Sequence, residues 1–204
     1  MTLTFFGILI AIILAVTASR RFGFRSQKPE HYKAGMPVFD IRQHLTGALL
    51  CEGVIYGPFG RVTSRFVAKM QADWSGNVGR MTEEFKYDSG NIQHREWTLS
   101  VENDGTIRAD ALDLIGTGQG YQSGSAVCLN YTIELTKDAG GHTLNVVDWM
   151  YLMENGVIIN RSQFRKFGIK VAELVATMRP NVINQIASES VSYTHLTLPT
   201  NLRV

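Results

Sequence analysis

Residues 61–74, RVTSRFVAKMQADW, decide how the rest of the chain is read. The even positions Val62, Phe66, Ala68, Met70, Ala72 and Trp74 are mostly apolar, and the odd positions Arg61, Thr63, Arg65, Lys69, Gln71 and Asp73 are mostly polar. Side chains of a strand point alternately to opposite faces, so this is a strand with one dry and one wet face. A helix would need apolar residues three and four apart, a spacing this segment lacks.

Working outward, similar runs are separated by Gly57-Pro58-Phe59-Gly60, Ser75-Gly76-Asn77, Asp88-Ser89-Gly90, Asn103-Asp104-Gly105, Ala139-Gly140-Gly141 and Glu154-Asn155-Gly156. Each supplies the Gly or Asn that a tight reversal requires. One short helix is expected, opened by Asp40 as N-cap with Gln43 at the capping-box position. Successive hairpins without crossover helices make a meander, and closing it removes the exposed edges. The expected fold is all-β: an antiparallel up-and-down barrel of about eight to ten strands over residues 36–180.

Two strands break their own pattern. On the apolar face of residues 79–87, Met81, Phe85 and Tyr87 are joined by Glu83; on that of residues 91–101, Trp97, Leu99 and Val101 are joined by Arg95. A three-residue loop Asp88-Ser89-Gly90, with Gly90 left-handed, pairs Tyr87 with Asn91 and places Glu83 across from Arg95. Burying such a pair is expensive. It either closes one end of the barrel or orients a polar head inside an apolar cavity.

Asp148 is a second polar insertion, among Val146, Val147, Trp149, Met150, Tyr151 and Leu152. A local turn or bulge bond, Arg95 and Arg161 are its candidate partners. Other groups point to no chemistry. His31, His44, His94 and His142 lack ligand spacing, so no metal or cofactor is expected. Gly116-x-Gly118-x-Gly120 has the glycines of a dinucleotide fingerprint without its βαβ context and reads as a flexible or bulged junction. Cys51 and Cys128 read as buried thiols. With 20 Lys+Arg against 18 Asp+Glu, net +2, the chain is no nucleic-acid binder.

The ends differ in kind. Residues 1–18 contain the uncharged run Leu3–Ala18, sixteen residues or about 24 Å as a helix, read as a membrane anchor, or as a signal cleaved after Val16-Thr17-Ala18. Residues 19–35 carry Arg20, Arg21, Arg25, Lys28 and Lys33 against Glu30, a basic juxtamembrane linker. The expectation is a single-pass inner-membrane protein; the charge rule favours the cytoplasmic side for its barrel and leaves the side open. Residues 181–190 form a tail. Residues 191–204, beginning VSYTHLTLPT, read as translated sequencing-adapter DNA, a disordered artefact to be excluded from fold reasoning.

The motifs Glu83-x-Phe85-x-Tyr87-Asp88-x-Gly90, Arg95-x-Trp97, Asp148-Trp149-Met150-Tyr151 and Asn160-Arg161 with Phe167-Gly168 resemble those of a bacterial family, domain of unknown function thirty-eight thirty-three. That family is similar to lipocalin-like (calycin) barrels. The resemblance spans about Phe39 to Met178 and implies a membrane-anchored or exported barrel whose gene often neighbours those of fatty-acid-modifying enzymes. It implies no activity. The sequence departs from lipoprotein-type members in lacking a Cys near the apolar run.

The expected role is therefore a non-enzymatic, membrane-associated binder of a lipid or other small amphipathic molecule. Glu83, Arg95 and Asp148 would orient its polar head and Phe66, Met70, Trp74, Phe85 and Trp97 would wall the chain, with Tyr87 and Asn160 as further candidate ligand contacts. One alternative is a scaffolding barrel that recruits lipid-modifying partners through Arg161–Lys170. Another is an enzyme using Glu83 as general base.

Overall fold

The computed structural model describes residues 2–137 and 140–181. Ten strands carry the fold: β1 (Gly47–Tyr56), β2 (Val62–Ser75), β3 (Val78–Tyr87), β4 (Ile92–Val101), β5 (Thr106–Asp110), β6 (Gly118–Ser123), β7 (Ala126–Glu134), β8 (Thr143–Leu152), β9 (Ile158–Lys166) and β10 (Ile169–Pro180). Each pairs antiparallel with the next, and β1 pairs with β10, so the sheet is a closed up-and-down barrel. The turn chemistry acts as expected. Gly90 is left-handed (φ 88°), Tyr87 N–H donates to Asn91 O at 3.0 Å, and Glu83 lies opposite Arg95.

Along β2, Phe66, Ala68, Met70 and Ala72 are buried while Val67, Lys69, Gln71 and Asp73 are exposed. The same inward face continues through Leu99, Ile107, Val127, Met150, Ile158 and Met178. One end is plugged by helix α2 (Ile41–His44), which brings Ile41 and Leu45 together with Phe39 into the core. Asp40 caps α2 by accepting the Arg42 N–H at 3.0 Å, and Trp74 Nε1 donates to Leu45 O at 2.8 Å. Trp74 is therefore part of the plug, not a cavity wall.

Other expectations change as well. Gly118 and Gly120 lie in β6, which pairs with β5 and β7 without a register shift and so is not bulged there, while Gly116 sits in the β5–β6 connection with a left-handed φ of 73°. A Cβ at Gly120 would lie 2.2 Å from Cys128 O, so glycine there lets two backbones approach. Part of the basic linker lies against the barrel as a strap. Two short 3-10 turns, Phe24–Ser26 and Pro29–Tyr32, cross the outer wall. Tyr32 packs 5.2 Å from the Trp149 ring and 5.5 Å from Tyr151, and Tyr151 Oη donates to Gln27 Oε1 at 2.6 Å.

Helix α1 runs Thr2–Phe22, with Phe6, Ile8, Ile13 and Leu14 exposed. Among the described residues no helix is long and apolar enough to cross a membrane. The uncharged run spans about 24 Å against a hydrocarbon core of about 30 Å, and Arg20 and Arg21 occupy the last turn of the helix. This overturns the expectation of a single-pass inner-membrane protein spanning through residues 3–18. Most of the 181–190 tail and all of the adapter-like stretch 191–204 lie outside the described residues.

The close approach at Gly120 predicts that Gly120→Ala destabilises the fold by about 1–3 kcal/mol through overpacking. Gly7→Ala, with open space around its Cβ position, should leave stability within about 0.5 kcal/mol. Urea denaturation of the two variants beside the parent protein measures the difference.

Candidate functional site

Alternation along β3, β4, β8 and β9 sends Glu83, Arg95, Asp148 and Asn160 to the interior, where they line a cavity of about 230 Å³. Phe85, Tyr87 and Trp97 line it too, so all seven residues singled out in the sequence meet in one space. The rest of the wall is mainly aliphatic, with Cys51, Leu99, Val127 and Met178 among its members. The plug closes one end. Towards the other end Ile55, Tyr87, Gln93, Phe164 and Leu174 are only partly buried, which places the mouth there.

The expected cross-strand ion pair is replaced by another. Arg95 Nε and Nη2 donate to Asp113 Oδ2 and Oδ1 at 2.8 and 3.1 Å, a bidentate pair. The guanidinium also lies 4.0 Å from the centroid of the Trp97 ring. Asp113 comes from the β5–β6 connection, which is pinned to β7 by Ile115 N–H donating to Thr132 O and Glu134 N–H donating to Asp113 O. Those bonds orient a carboxylate that no periodicity in residues 111–117 announces.

Glu83 is thereby left with a lighter partner. It is 7% exposed, and Trp97 Nε1 donates to its Oε2 at 3.3 Å, a long contact. Burial disfavours the charged carboxylate and pushes its pKa up to about 7, although the Arg95 charge and the indole pull the other way. Asp148 is also raised by burial. It pairs with neither Arg95 nor Arg161, and accepts instead from Asn160 Nδ2 and from Ser162 Oγ. Arg161 points outward, 2.5 Å from Glu173.

Above the acids, Phe66 and Phe85 meet at 5.3 Å between ring centroids, and Tyr87 Oη donates to Gln93 Oε1 at 2.9 Å. Asp113 is one of two carboxylates, with Asp110, that the sequence offers for acid–base pairing without fixing their spacing, and its pairing with Arg95 is new. Gln93, Tyr131 and Ser162 are lining groups that no sequence signal singled out. The inward parity of Gln93 and Tyr131 was readable from Arg95 and from Cys128's strand neighbours, but nothing marked them as more than wall. Cys51 also faces the cavity as a free thiol, and burial pushes it up to about 12, far from a reactive thiolate.

The chemistry of this arrangement is that of a mainly apolar pocket with an acid surplus. Its one arginine is already spent on Asp113, and Glu83 and Asp148 face the same space. A protonated Glu83 can donate a hydrogen bond, and an ionised one can accept from an alcohol or amine.

The raised acid sets a pH dependence. Between the ordinary glutamate pKa near 4.5 and about 7 the folded state holds a proton that the unfolded state has lost, so stability falls as pH rises through that window. Glu83→Gln removes this cost. The variant should match the parent protein at pH 4 and exceed it by up to about 3 kcal/mol at pH 8, as chemical denaturation across this range would measure. Equal differences at both pH values would contradict the assignment.

No curated protein matches the chain. Residues 19–180 match the family described as protein of unknown function (DUF3833), a span that holds the strap, the plug and all ten strands, and the chain belongs to that family.

Proposed function

We propose that the barrel binds one small amphipathic molecule, as a lipocalin-like barrel does, with its apolar part inside and its polar head at Glu83. The observation that carries this reading is an apolar cavity of about 230 Å³ into which a buried carboxyl projects with a single long hydrogen bond. Buried polar groups normally have better partners, and a ligand head would supply one.

The volume bounds the ligand. It exceeds the ~150 Å³ that accommodates benzene and falls short of the ~300–1,000 Å³ common for drug-sized ligands. A single short chain or ring suits it, and a two-chain phospholipid does not. Charge narrows the head group. With Arg95 occupied by Asp113, a carboxylate ligand would meet Glu83 and Asp148 without a free cation, whereas an alcohol or amine meets two acceptors.

Native mass spectrometry of the gently purified protein and calorimetric titration with a medium-chain alcohol, amine and carboxylate of equal length test this. At pH 8 the alcohol and amine are expected to bind about tenfold or more tightly than the carboxylate. Met70→Trp, folded by circular dichroism, should abolish binding by filling the space. Binding of none of the three, or equal binding of all three, would sink the reading.

A further inference from the structure

The two ends of the barrel are chemically unlike. At the mouth, the β1–β2 loop presents Phe59 at 99% exposure, the β9–β10 turn Phe167 at 90% and Ile169 at 70%, and the β5–β6 connection the exposed Leu112 and Ile115. At the plugged end the connecting turns are tipped by Ser75-Gly76-Asn77, Asn103-Asp104-Gly105, Ser123-Gly124-Ser125 and Glu154-Asn155-Gly156. The exposed apolar residues there, Met36, Val38, Val78 and Met153, flank the turns and the plug and do not stand at a tip.

Basic residues stand beside two of the mouth's apolar tips, while the acids there, Asp88 and Asp113, are each paired with an arginine. Arg61 stands two residues from Phe59 in the same loop, and Lys166 Nζ lies 5.8 Å from the Phe167 ring. These two hairpin tips are neighbours, because β10 lies between β9 and β1. The β9–β10 hairpin continues four residues beyond the last β1–β10 pair, Tyr56↔Glu173, to Ile169. At the plugged end the turns carry Glu102, Asp104 and Glu154.

We propose that the mouth docks on an anionic lipid surface, with Phe59 and Phe167 inserted between headgroups and Arg61 and Lys166 lying among them. Single apolar side chains on separate hairpins around an opening suit a fluid surface that closes around each one. Basic residues beside the tips match anionic headgroups. The inference rests on the amphiphile-binding reading for its purpose: a ligand passes from the lipid phase into the cavity without crossing water. It does not involve a membrane span.

The full-length chain tests it, since its native Cys51 and Cys128 are buried and a dye can be directed to one introduced thiol. Phe59→Cys and Asn103→Cys, each carrying an environment-sensitive fluorophore, are mixed with phosphatidylcholine vesicles with or without phosphatidylglycerol. The label at 59 should shift to the blue with phosphatidylglycerol vesicles and be quenched by lipids bearing a chain-borne quencher, while the label at 103 stays unchanged. R61E/K166E should weaken partitioning about tenfold or more. No response at 59, an equal response at 103, or an equal response on pure phosphatidylcholine overturns the proposal. Titration with the medium-chain amine, without vesicles, separates the two readings: normal affinity without insertion at 59 defeats lipid docking alone, and insertion at 59 without amine binding defeats only the cavity reading.

Discussion

The pairing of β1 with β10, from Leu49↔Pro180 to Tyr56↔Glu173, is the contact on which the rest of the molecule depends. It joins segments more than a hundred residues apart and leaves the sheet with no edge. Every strand then has an inner and an outer face, and each inward residue must be packed, paired or matched by something that enters. Near α2 packing suffices, with Phe39, Ile41, Leu49 and Ile107 almost wholly buried. Towards the mouth it does not suffice, and charged residues share the interior with aromatic ones.

There the balance is set by competition for one arginine. Opposition across the β3–β4 ladder brings Arg95 and Glu83 to the same level, yet Arg95 makes its bidentate bond to Asp113. Two parallel charge-assisted bonds and a ring beneath the guanidinium outweigh one contact with Glu83. The consequence is a carboxyl held at the edge of ionisation near neutral pH. This is an electrostatic state that a pocket lined only by aliphatic residues would not have.

The outer wall has its own logic. Trp149 and Tyr151 point away from the cavity and would expose a large aromatic surface if nothing covered them. The strap covers them, bringing Tyr32 and Phe24 onto that face and placing Arg161 4.9 Å from the Phe24 ring. Residues whose composition reads as a basic linker thus belong to the folded unit, consistent with a family match that starts at residue 19.

Much of this was legible in the chain. Period-two alternation and turn glycines determine the strands, the hairpin registers and the inward parity of Glu83 and Arg95, because those signals are local: a pleat has a fixed period and a tight turn a fixed chemistry. Asp148 and Asn160 follow runs apolar at both parities, where alternation assigns no face. Only the tertiary structure decided the partners. Asp113 reaches Arg95 through a connection pinned by β7, Asp148 turns to Asn160 and Ser162, and Trp74 joins the plug, all by contacts between segments distant in sequence. The reach of the N-terminal helix, by contrast, follows from the sequence: sixteen uncharged residues make about 24 Å of helix against a hydrocarbon core of about 30 Å. Local periodicity says which way a side chain points. What it meets there depends on closure of the barrel, which no window of sequence contains.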